Sequence, residues 1–305
     1  MDKKKIIVVA GATASGKTSL GIAIAKAVGG EVISADSMQV YKGMPIATAA
    51  PTEDEKNAVP HHLVEFLEPD ESFSVSVWCD LAREKIDEII SRGNVPVIVG
   101  GTGLFIDSLV DNIIFEDVKV DNELRQKLMQ RDVDELYDEL LRVDENSARE
   151  IHKNNKKRVV RALELYYSGV SKTQQNINSR KQESPYDTLY LFLNYEDRQI
   201  LYDRINKRVD LMIENGLIDE ARACADKSKG TSAQAIGHKE LMPYINDEAD
   251  IDACVNKLKQ ETRHYAKRQI TWFKRRENAV VIKPDALGDD YEGLAVKICE
   301  DFLNG

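Results

Sequence analysis

The chain has 305 residues, of which 42% are hydrophobic and 31% are charged, a balance typical of a globular protein with a substantial core in one large domain or two modest ones. No apolar run reaches the roughly 18 residues that a membrane-spanning helix needs, so we expect no membrane association. The four cysteines are widely spaced and form no Cys-x-x-Cys pair, which predicts reduced core thiols in a cytoplasmic protein. The net charge of −10 argues against a nucleic-acid partner unless basic residues cluster locally.

The first informative segment is a glycine-rich loop between a strand and a helix. The run 6–10 predicts a strand, 20–28 has a helical pattern, and the chain between them reads Gly-x-x-x-x-Gly-Lys-Thr. This pattern is typical of a P-loop, whose backbone N–H groups surround a diphosphate or triphosphate. Lys17 would meet the terminal phosphate, and Thr18 would ligate Mg²⁺. The predicted phosphate-binding residues are Gly11, Ala12, Thr13, Ala14, Ser15, Gly16, Lys17 and Thr18.

The strands that follow differ from those of most P-loop nucleotide hydrolases. Those proteins carry a second apolar strand that ends in an aspartate, and this aspartate helps to hold magnesium. The best candidate strand, 95–99, is followed by glycines and Thr102. The acid that follows a strand near the loop is Asp36, after strand 31–35. A pocket with one carboxylate, one hydroxyl and a phosphate-binding loop suits deprotonation of a nucleophile beside a bound diphosphate better than sustained NTP hydrolysis.

The middle of the chain changes character. Strand patterns are missing between 116 and 186, where helical patterns follow one another at 122–130, 133–141, 146–152, 156–168 and 171–180. Strand patterns return at 188–193 and 279–282. We therefore predict an α/β fold, a P-loop NTPase-like parallel sheet with helices on both faces, formed by 1–115 and 187–305, with an inserted all-helical subdomain at 116–186.

Two basic segments interrupt this acidic chain. Residues 153–161 carry five Lys or Arg and residues 262–276 carry six, with no acid in either segment. Such clusters can form a phosphate-binding surface, although solvated helix faces give the same pattern. Arg208 is a separate case, because the apolar spacing of helix 200–213 puts it at the edge of the buried stripe. An arginine there either meets an anion or extends past the core to solvent.

Eight segments, in order across nearly the whole chain, together resemble those of the tRNA dimethylallyltransferase (tRNA isopentenyltransferase) family. They are Gly-Ala-Thr-Ala-Ser-Gly-Lys-Thr (11–18), Ile-Ser-Ala-Asp-Ser-Met-Gln-Val-Tyr (33–41), Val-Pro-His-His-Leu (59–63), Val-Gly-Gly-Thr-Gly-Leu (99–104), Lys-Arg-Val-Val-Arg-Ala-Leu-Glu (157–164), Arg-Ile-Asn-Lys-Arg-Val-Asp-Leu-Met (204–212), Gln-Ala-Ile-Gly-His-Lys-Glu (234–240) and Ala-Lys-Arg-Gln-Ile-Thr-Trp-Phe (266–273).

The resemblance implies that a dimethylallyl group moves from its diphosphate to the exocyclic amine of the adenosine 3′ of a tRNA anticodon, with the P-loop holding diphosphate rather than ATP. It implies that Asp36 is the catalytic base, that Thr102 lies near the diphosphate and the amine, and that Arg208 clamps the diphosphate. It also implies Mg²⁺ as cofactor and the tRNA anticodon stem-loop, bound in part by the helical insertion, as partner; we expect a monomer. The residues implied to contact tRNA are Asp36, Ser37, Met38, Gln39, Thr102, Arg125, Lys157, Arg158, Val159, Val160, Arg161, Gln234, Gly237, His238 and Lys239.

The chain departs from the family pattern at several positions. Ala12 stands where the family commonly has proline, Ala50 where it has lysine, and His238 where it has tyrosine. The change at Ala50 removes one expected cation near the site. His61 and His62 are adjacent, so their side chains point apart on an extended segment and structural roles are expected for them rather than a shared metal.

Three other functions use the same residues. A P-loop small-molecule or nucleotide kinase would use ATP in the loop and Asp36 to activate a hydroxyl. An adenylate isopentenyltransferase would prenylate free AMP or ATP and would not need the basic helical insertion. A non-catalytic tRNA-binding protein would have no need of an intact phosphate-binding loop beside Asp36 and Thr102.

Overall fold

A computed structural model describes residues 3–115, 121–179 and 183–305 of the chain. The chain divides into two compact units, one formed by Met1–Val110 with Pro185–Gly305, here called the sheet unit, and one formed by Asp111–Ser184, here called the helical unit. No helix among the described residues is both long enough and apolar enough to cross a membrane.

The strands of the sheet unit form one parallel sheet, and the predicted α/β fold is confirmed. Within the described ranges its order is β3-β2-β4-β1-β5-β6. The bounds of all five predicted strands agree with observed strands within two residues, and the largest differences are that β1 and β5 start two residues earlier than predicted. The prediction missed β3, which has two residues and no strand-length apolar run. The strands are β1 (Lys4–Gly11), β2 (Gly30–Ser34), β3 (His61–His62), β4 (Val95–Gly100), β5 (Tyr186–Leu193) and β6 (Val280–Ile282).

Helices cover both faces of this sheet. Ile7 and Val9 of β1 pack with Leu20 of α1 (Lys17–Val28) and with the C-terminal helix, on one face. Because successive side chains of a strand alternate, Ile6 and Val8 are buried on the other face. The remaining helices of this unit are α2 (Pro45–Thr48), α3 (Glu53–Ala58), α4 (Val75–Ser91), α5 (Gly103–Val110), α11 (Arg198–Glu214), α12 (Leu217–Cys224), α13 (His238–Ile245), α14 (Ile251–Phe273), α15 (Pro284–Leu287) and α16 (Tyr291–Asn304).

The helical unit has its own core, in which Leu136, Leu140, Val159 and Leu163 are fully buried. This separate core lets the unit be compact by itself. The helix predicted at 171–180 ends at Ser179, and Arg180 lies outside the described residues, as does part of the predicted insertion boundary, 116–120. The helices are α6 (Asn122–Gln130), α7 (Val133–Val143), α8 (Glu145–Glu150), α9 (Lys156–Tyr167) and α10 (Lys172–Ser179).

A buried carboxylate, Glu31, joins strands and loops at the amino-terminal side of the sheet. Its side chain is 5% exposed and accepts hydrogen bonds from Arg92 at 2.8 and 3.0 Å and from Asn94 at 2.8 Å, and His62 Nε2 lies 2.6 Å away. Burial by itself would raise the pKa of Glu31, but these hydrogen bonds outweigh burial and lower that pKa to about 2. His62 therefore has the structural role predicted for it.

We expect Glu31→Gln to lower the free energy of unfolding by about 2 kcal/mol at pH 7, because it removes the charge that faces Arg92 while the cation stays in place. The folded pKa of Glu31 lies below the unfolded value of 4.5, so its stabilising effect is present above pH 4.5 and is lost as the pH falls toward 2. Urea unfolding of native and variant protein measures both effects.

The control is Glu88→Gln, which removes an exposed carboxylate that also lies near Arg92, at 4.0 Å. This control should leave stability unchanged, because an exposed ion pair contributes little. Equal stability of Glu31→Gln and native protein at pH 7 would contradict the assigned role of Glu31.

Candidate active site

The phosphate-binding loop connects β1 to α1 and has an unusual backbone. Ala14 and Gly16 have φ of 61° and 93°, in the left-handed region. A Cβ at Gly11 would lie 2.7 Å from Ser15 Oγ and 3.3 Å from the carbonyl oxygen of Leu193, so the loop and β5 pack closely on this glycine. The first amides of α1, which begins at Lys17, have no partners within the helix and carry its positive end. The loop is therefore preformed to bind an anion.

Cations surround one side of this loop in an outer cavity of about 320 Å³. Arg204 donates to the carbonyl of Ala14 at 2.9 Å, and Lys17 Nζ lies 3.4 Å from the carbonyl of Ala12. Burial lowers the pKa of Lys17 to about 8, with a further lowering by Arg208 and an opposing effect of Asp36. Burial also lowers the pKa of Arg208, again opposed by Asp36. Partly desolvated cations of this kind attract an anionic ligand strongly.

Asp36 and Thr102 follow neighbouring strands, β2 and β4, and meet at the carboxyl edge of the sheet. Ala35 N donates to the carbonyl of Val99 at 2.8 Å, and Thr102 N donates to the carbonyl of Ala35 at 3.1 Å. The hydroxyl of Thr102 accepts the backbone N–H of Ser37 at 3.0 Å. The sequence therefore placed Asp36 and Thr102 together correctly, and the Thr102 side chain holds the Asp36 turn.

The close approach of these turns depends on glycine. A Cβ at Gly100 would lie 2.1 Å from the carbonyl oxygen of Ala35, so no side chain fits there. The Asp36 carboxylate accepts the backbone N–H of Met38 at 2.9 Å through Oδ1. This bond shapes the turn and engages only Oδ1 among the described residues, so Oδ2 can accept from a ligand.

A second, inner cavity of about 490 Å³ adjoins the loop on the side of Asp36. Lys17, Thr18 and Arg208 line both cavities, so an anion at the loop lies beside a space large enough for an organic group. Other residues that line the inner cavity include Thr13, Ser37, Met38, Gln39, Ala50, Gln234, Lys239, Tyr265, Arg268 and Gln269. Ala50 lies at this wall without the cation that the family pattern commonly has there.

Tyr265 and Gln269 of α14 belong to this site, and the sequence assigned them no role. Burial raises the pKa of Tyr265, Asp36 raises it further, and hydrogen bonds with Thr102 and Gln269 partly offset both effects. Gln269 is 5% exposed and lies on the buried stripe of α14, with Ala266 and Phe273. A polar amide within an otherwise apolar stripe is the sequence signal that could have identified it.

Two residues predicted to contact tRNA have side chains already engaged within the sheet unit. Gln39 accepts from Ser34 Oγ at 2.8 Å and donates to the carbonyl of Ala49 at 2.9 Å. His238 is 5% exposed and its Nε2 lies 2.9 Å from Glu220. The prediction for the side chain of His238 needs correction, because it is enclosed, whereas Gln234 and Lys239 are exposed at the cavity. Gly237 has φ of 114° and supplies the turn before α13.

The basic segment of the helical unit also needs a correction. Val159 and Val160 are 0% and 2% exposed in the core, so their side chains cannot reach a ligand, whereas Lys157 and Arg158 are exposed. Arg161 donates to the buried carboxylate of Glu164 at 3.1 Å.

Arg125 of α6 shares that carboxylate. It donates to Glu164 through two bonds of 2.5 and 2.9 Å, and the side chains of Arg125 and Arg161 are each 43% exposed. Both guanidinium groups are thus oriented by one acid of α9, with N–H groups left over for another acceptor.

Thr18 is the predicted metal ligand of the site, and Asp36 is the carboxylate that lines a cavity with it. No group of three or more His, Cys, Asp or Glu side chains in the described ranges could hold a metal ion by itself. This donor set fits Mg²⁺ bound mainly by phosphate oxygens and water, since that ion keeps several waters and needs only one or two protein ligands beside a substrate phosphate.

Family models and known relatives match nearly the full length of this chain. A family model described as IPP transferase matches residues 39–276, and one described as isopentenyl transferase matches residues 4–62. A tRNA dimethylallyltransferase from Acetivibrio thermocellus is 45% identical, with 93% of each chain covered. Another, from Staphylococcus saprophyticus, is 45% identical, with 99% of this chain and 96% of the relative covered.

Solved structures agree with these relatives. The full-length tRNA isopentenylpyrophosphate transferase from Bacillus halodurans is 39% identical, with a TM-score of 0.74 and 99% and 97% of the two chains covered. A eukaryotic dimethylallyltransferase acting on tRNA is 30% identical, with a TM-score of 0.84, 99% of this chain and 80% of that chain covered. The chain therefore belongs to the tRNA dimethylallyltransferase family of prenyl transferases and is not a P-loop kinase.

Proposed function

We propose that this chain transfers a dimethylallyl group from dimethylallyl diphosphate to the exocyclic amine of the adenosine 3′ of a tRNA anticodon, and releases diphosphate. The observation that carries the proposal is the set of Lys17, Thr18 and Arg208 shared by two cavities, one cationic and one that contains Asp36. This arrangement puts a leaving-group site next to a base, which a transfer between two substrates needs.

The loop and its cations act on the leaving group. As the carbon–oxygen bond of the allylic carbon breaks, its electron pair goes to the diphosphate, whose negative charge grows. Lys17, Arg208 and the N-terminus of α1 are fixed before the reaction and stabilise that growing charge. Mg²⁺, when bound to the diphosphate and Thr18, would neutralise part of the same charge.

Asp36 acts on the nucleophile. The new bond forms between the exocyclic nitrogen of adenine and the allylic carbon, and a carboxylate is needed to accept the proton that the nitrogen loses. Thr102 keeps the turn of Asp36 in place through Ser37 N, at 3.0 Å. The target base must leave the stacked anticodon loop to reach this carboxylate, as bases do in other enzymes that modify them.

For tRNA binding we propose the cations Lys157, Arg158, Arg161 and Arg125 of the helical unit, and the cation Lys239 with the neutral amide of Gln234 in the sheet unit. In both units these side chains are at least partly exposed, which a phosphate contact requires. We propose a cytoplasmic monomer, in accord with a tRNA substrate and with four buried cysteines that are free thiols.

A product assay tests the function directly. The protein is incubated with dimethylallyl diphosphate together with tRNA, AMP or ATP in separate reactions, and with ATP and tRNA alone, and products are identified by mass. We expect a gain of one dimethylallyl group on tRNA only. Prenylation of AMP or ATP, or phosphoryl transfer from ATP, would contradict the proposal.

Asp36→Asn should lower turnover by about 10²–10⁴-fold and leave tRNA affinity nearly unchanged. Asparagine keeps the oxygen that accepts Met38 N, so the turn survives while the base is lost. Single-turnover transfer and tRNA binding are measured on the same preparations. Turnover within a few-fold of native would remove Asp36 from the mechanism.

The ionisation of Lys17 predicts how the affinity for dimethylallyl diphosphate depends on pH. Because its pKa is about 8, it loses its charge as the pH rises through 8, and affinity for dimethylallyl diphosphate should fall by up to about tenfold in total from pH 7 to 9. Lys17→Ala should weaken binding at pH 7 and remove this pH dependence. Calorimetry at several pH values measures it, with Lys26→Ala, an exposed lysine of the same helix, as the control that should retain the native profile.

Replacing Lys157, Arg158 and Arg161 by alanine should weaken tRNA binding and flatten the slope of log affinity against log salt by up to about two units, at roughly 0.7–0.9 per phosphate contact. The fold should survive, because Arg125 still pairs with Glu164. Affinity for dimethylallyl diphosphate should not change.

The matched control removes three exposed cations of the sheet unit, Arg222, Lys227 and Lys297. It should keep the native salt slope. If the first triple variant also keeps that slope, the basic segment is an ordinary solvated helix face.

A further inference from the structure

Gln269 is a buried polar side chain to which the proposed mechanism assigns no step. Its Oε1 accepts the backbone N–H of Thr13 in the phosphate-binding loop at 2.8 Å. Its Nε2 donates to the backbone carbonyl of Gly101 at 2.9 Å. One amide therefore joins the loop of the diphosphate site to the turn that carries Thr102.

Glycines make this bridge sterically possible. A Cβ at Gly101 would lie 2.3 Å from Gln269 Nε2, and a Cβ at Gly103 would lie 2.2 Å from the ring of Trp272. Helix α14 thus packs directly on the backbone of the turn at both positions. Trp272 adds a bond of 2.6 Å from Nε1 to Asp107 of α5, one helical turn away from Gly103.

The bridge needs an amide in particular. It requires one acceptor for Thr13 and one donor for Gly101, and glutamine supplies both from one planar group. A glutamate would put an acceptor against the Gly101 carbonyl and a negative charge beside the phosphate-binding loop. Methionine has nearly the same volume but would make neither bond and would leave two buried backbone groups unpaired.

We propose that Gln269 is a positioning residue that sets the separation between the phosphate-binding loop and the Asp36–Thr102 pair. The inference rests on the proposed function, because it concerns the alignment of the two substrates. The breaking carbon–oxygen bond is on the loop side and the attacking amine is on the Asp36 side. A misplacement of about 1 Å between such groups costs about 10²-fold in rate. Affinity for either substrate alone depends less on this separation.

The test compares native protein with Gln269→Met, Gln269→Glu and a control, Gln260→Met, an exposed glutamine of the same helix. Melting temperature, calorimetric affinity for dimethylallyl diphosphate without tRNA, affinity for tRNA and the single-turnover transfer rate are measured for each. We expect Gln269→Met to transfer about 10²-fold more slowly, with both affinities within about threefold of native, and Gln260→Met to match native.

Gln269→Glu adds a readout that loss of packing would not produce. A protonated carboxyl group has one donor and one acceptor, so the variant's rate relative to native should recover as the pH falls from 8 to 6. The charged and titratable residues that line this cavity, Lys17, Asp36, Glu55, Arg208, Lys239, Tyr265 and Arg268, are present in both proteins, so the ratio of the two rates reports the effect of the introduced carboxyl group.

The outcomes separate this inference from the proposed function. If native protein does not prenylate tRNA, the function is wrong. If native protein does so and Gln269→Met transfers at a rate within threefold of native, or loses rate only in proportion to both affinities, Gln269 does not position the reacting groups. Should Gln269→Met fail to fold, the pH dependence of Gln269→Glu decides, and a flat ratio overturns the inference.

Discussion

The parallel pairing of β4 with both β1 and β2 is the constraint on which the candidate site depends. Parallel strands in one sheet end at the same edge, so the loop after β1 and the turns after β2 and β4 lie side by side. Gly100 lets the β4 turn approach Ala35 more closely than any residue with a side chain could. The loop, Asp36 and Thr102 lie in different segments of the chain and meet at this edge because their strands are parallel neighbours.

At the carboxyl edge of the sheet, charged side chains face the cavity and neutral polar side chains bond to the backbone. Lys17, Arg208 and Asp36 all line the inner cavity, where their charges face a substrate. Neutral amides and hydroxyls position the backbone instead, as Gln39, Thr102 and Gln269 do. This division is physically favourable, because a neutral bridge fixes a loop without compensating the charge that a ligand must meet.

Two buried carboxylates away from this edge are paired with arginines and serve the fold. Glu31 holds Arg92, Asn94 and His62 together, and Glu164 orients two arginines of the helical unit. The side chain of His238, which departs from the family pattern, is also enclosed within the sheet unit. It pairs with Glu220, which also accepts the N–H groups of Ile46 and Ala47 at the start of α2. This departure therefore changes an internal network rather than an exposed surface.

The sequence by itself determined five of the six strands in the described residues, the phosphate-binding loop, the place of Asp36 after a strand and the helical segment, because each depends on local periodicity or on a motif with its own backbone requirements. It could not determine which side chains of the segments that resemble tRNA-contacting ones are exposed. Val159, Val160 and His238 lie in segments that resemble tRNA-contacting ones, yet packing between helices encloses them. Nor could it find Gln269, whose partners Thr13 and Gly101 are more than 160 residues away in the chain. Only the tertiary structure brings α14 against the glycine turn, since long-range packing, not local spacing, decides which buried amide faces which backbone group.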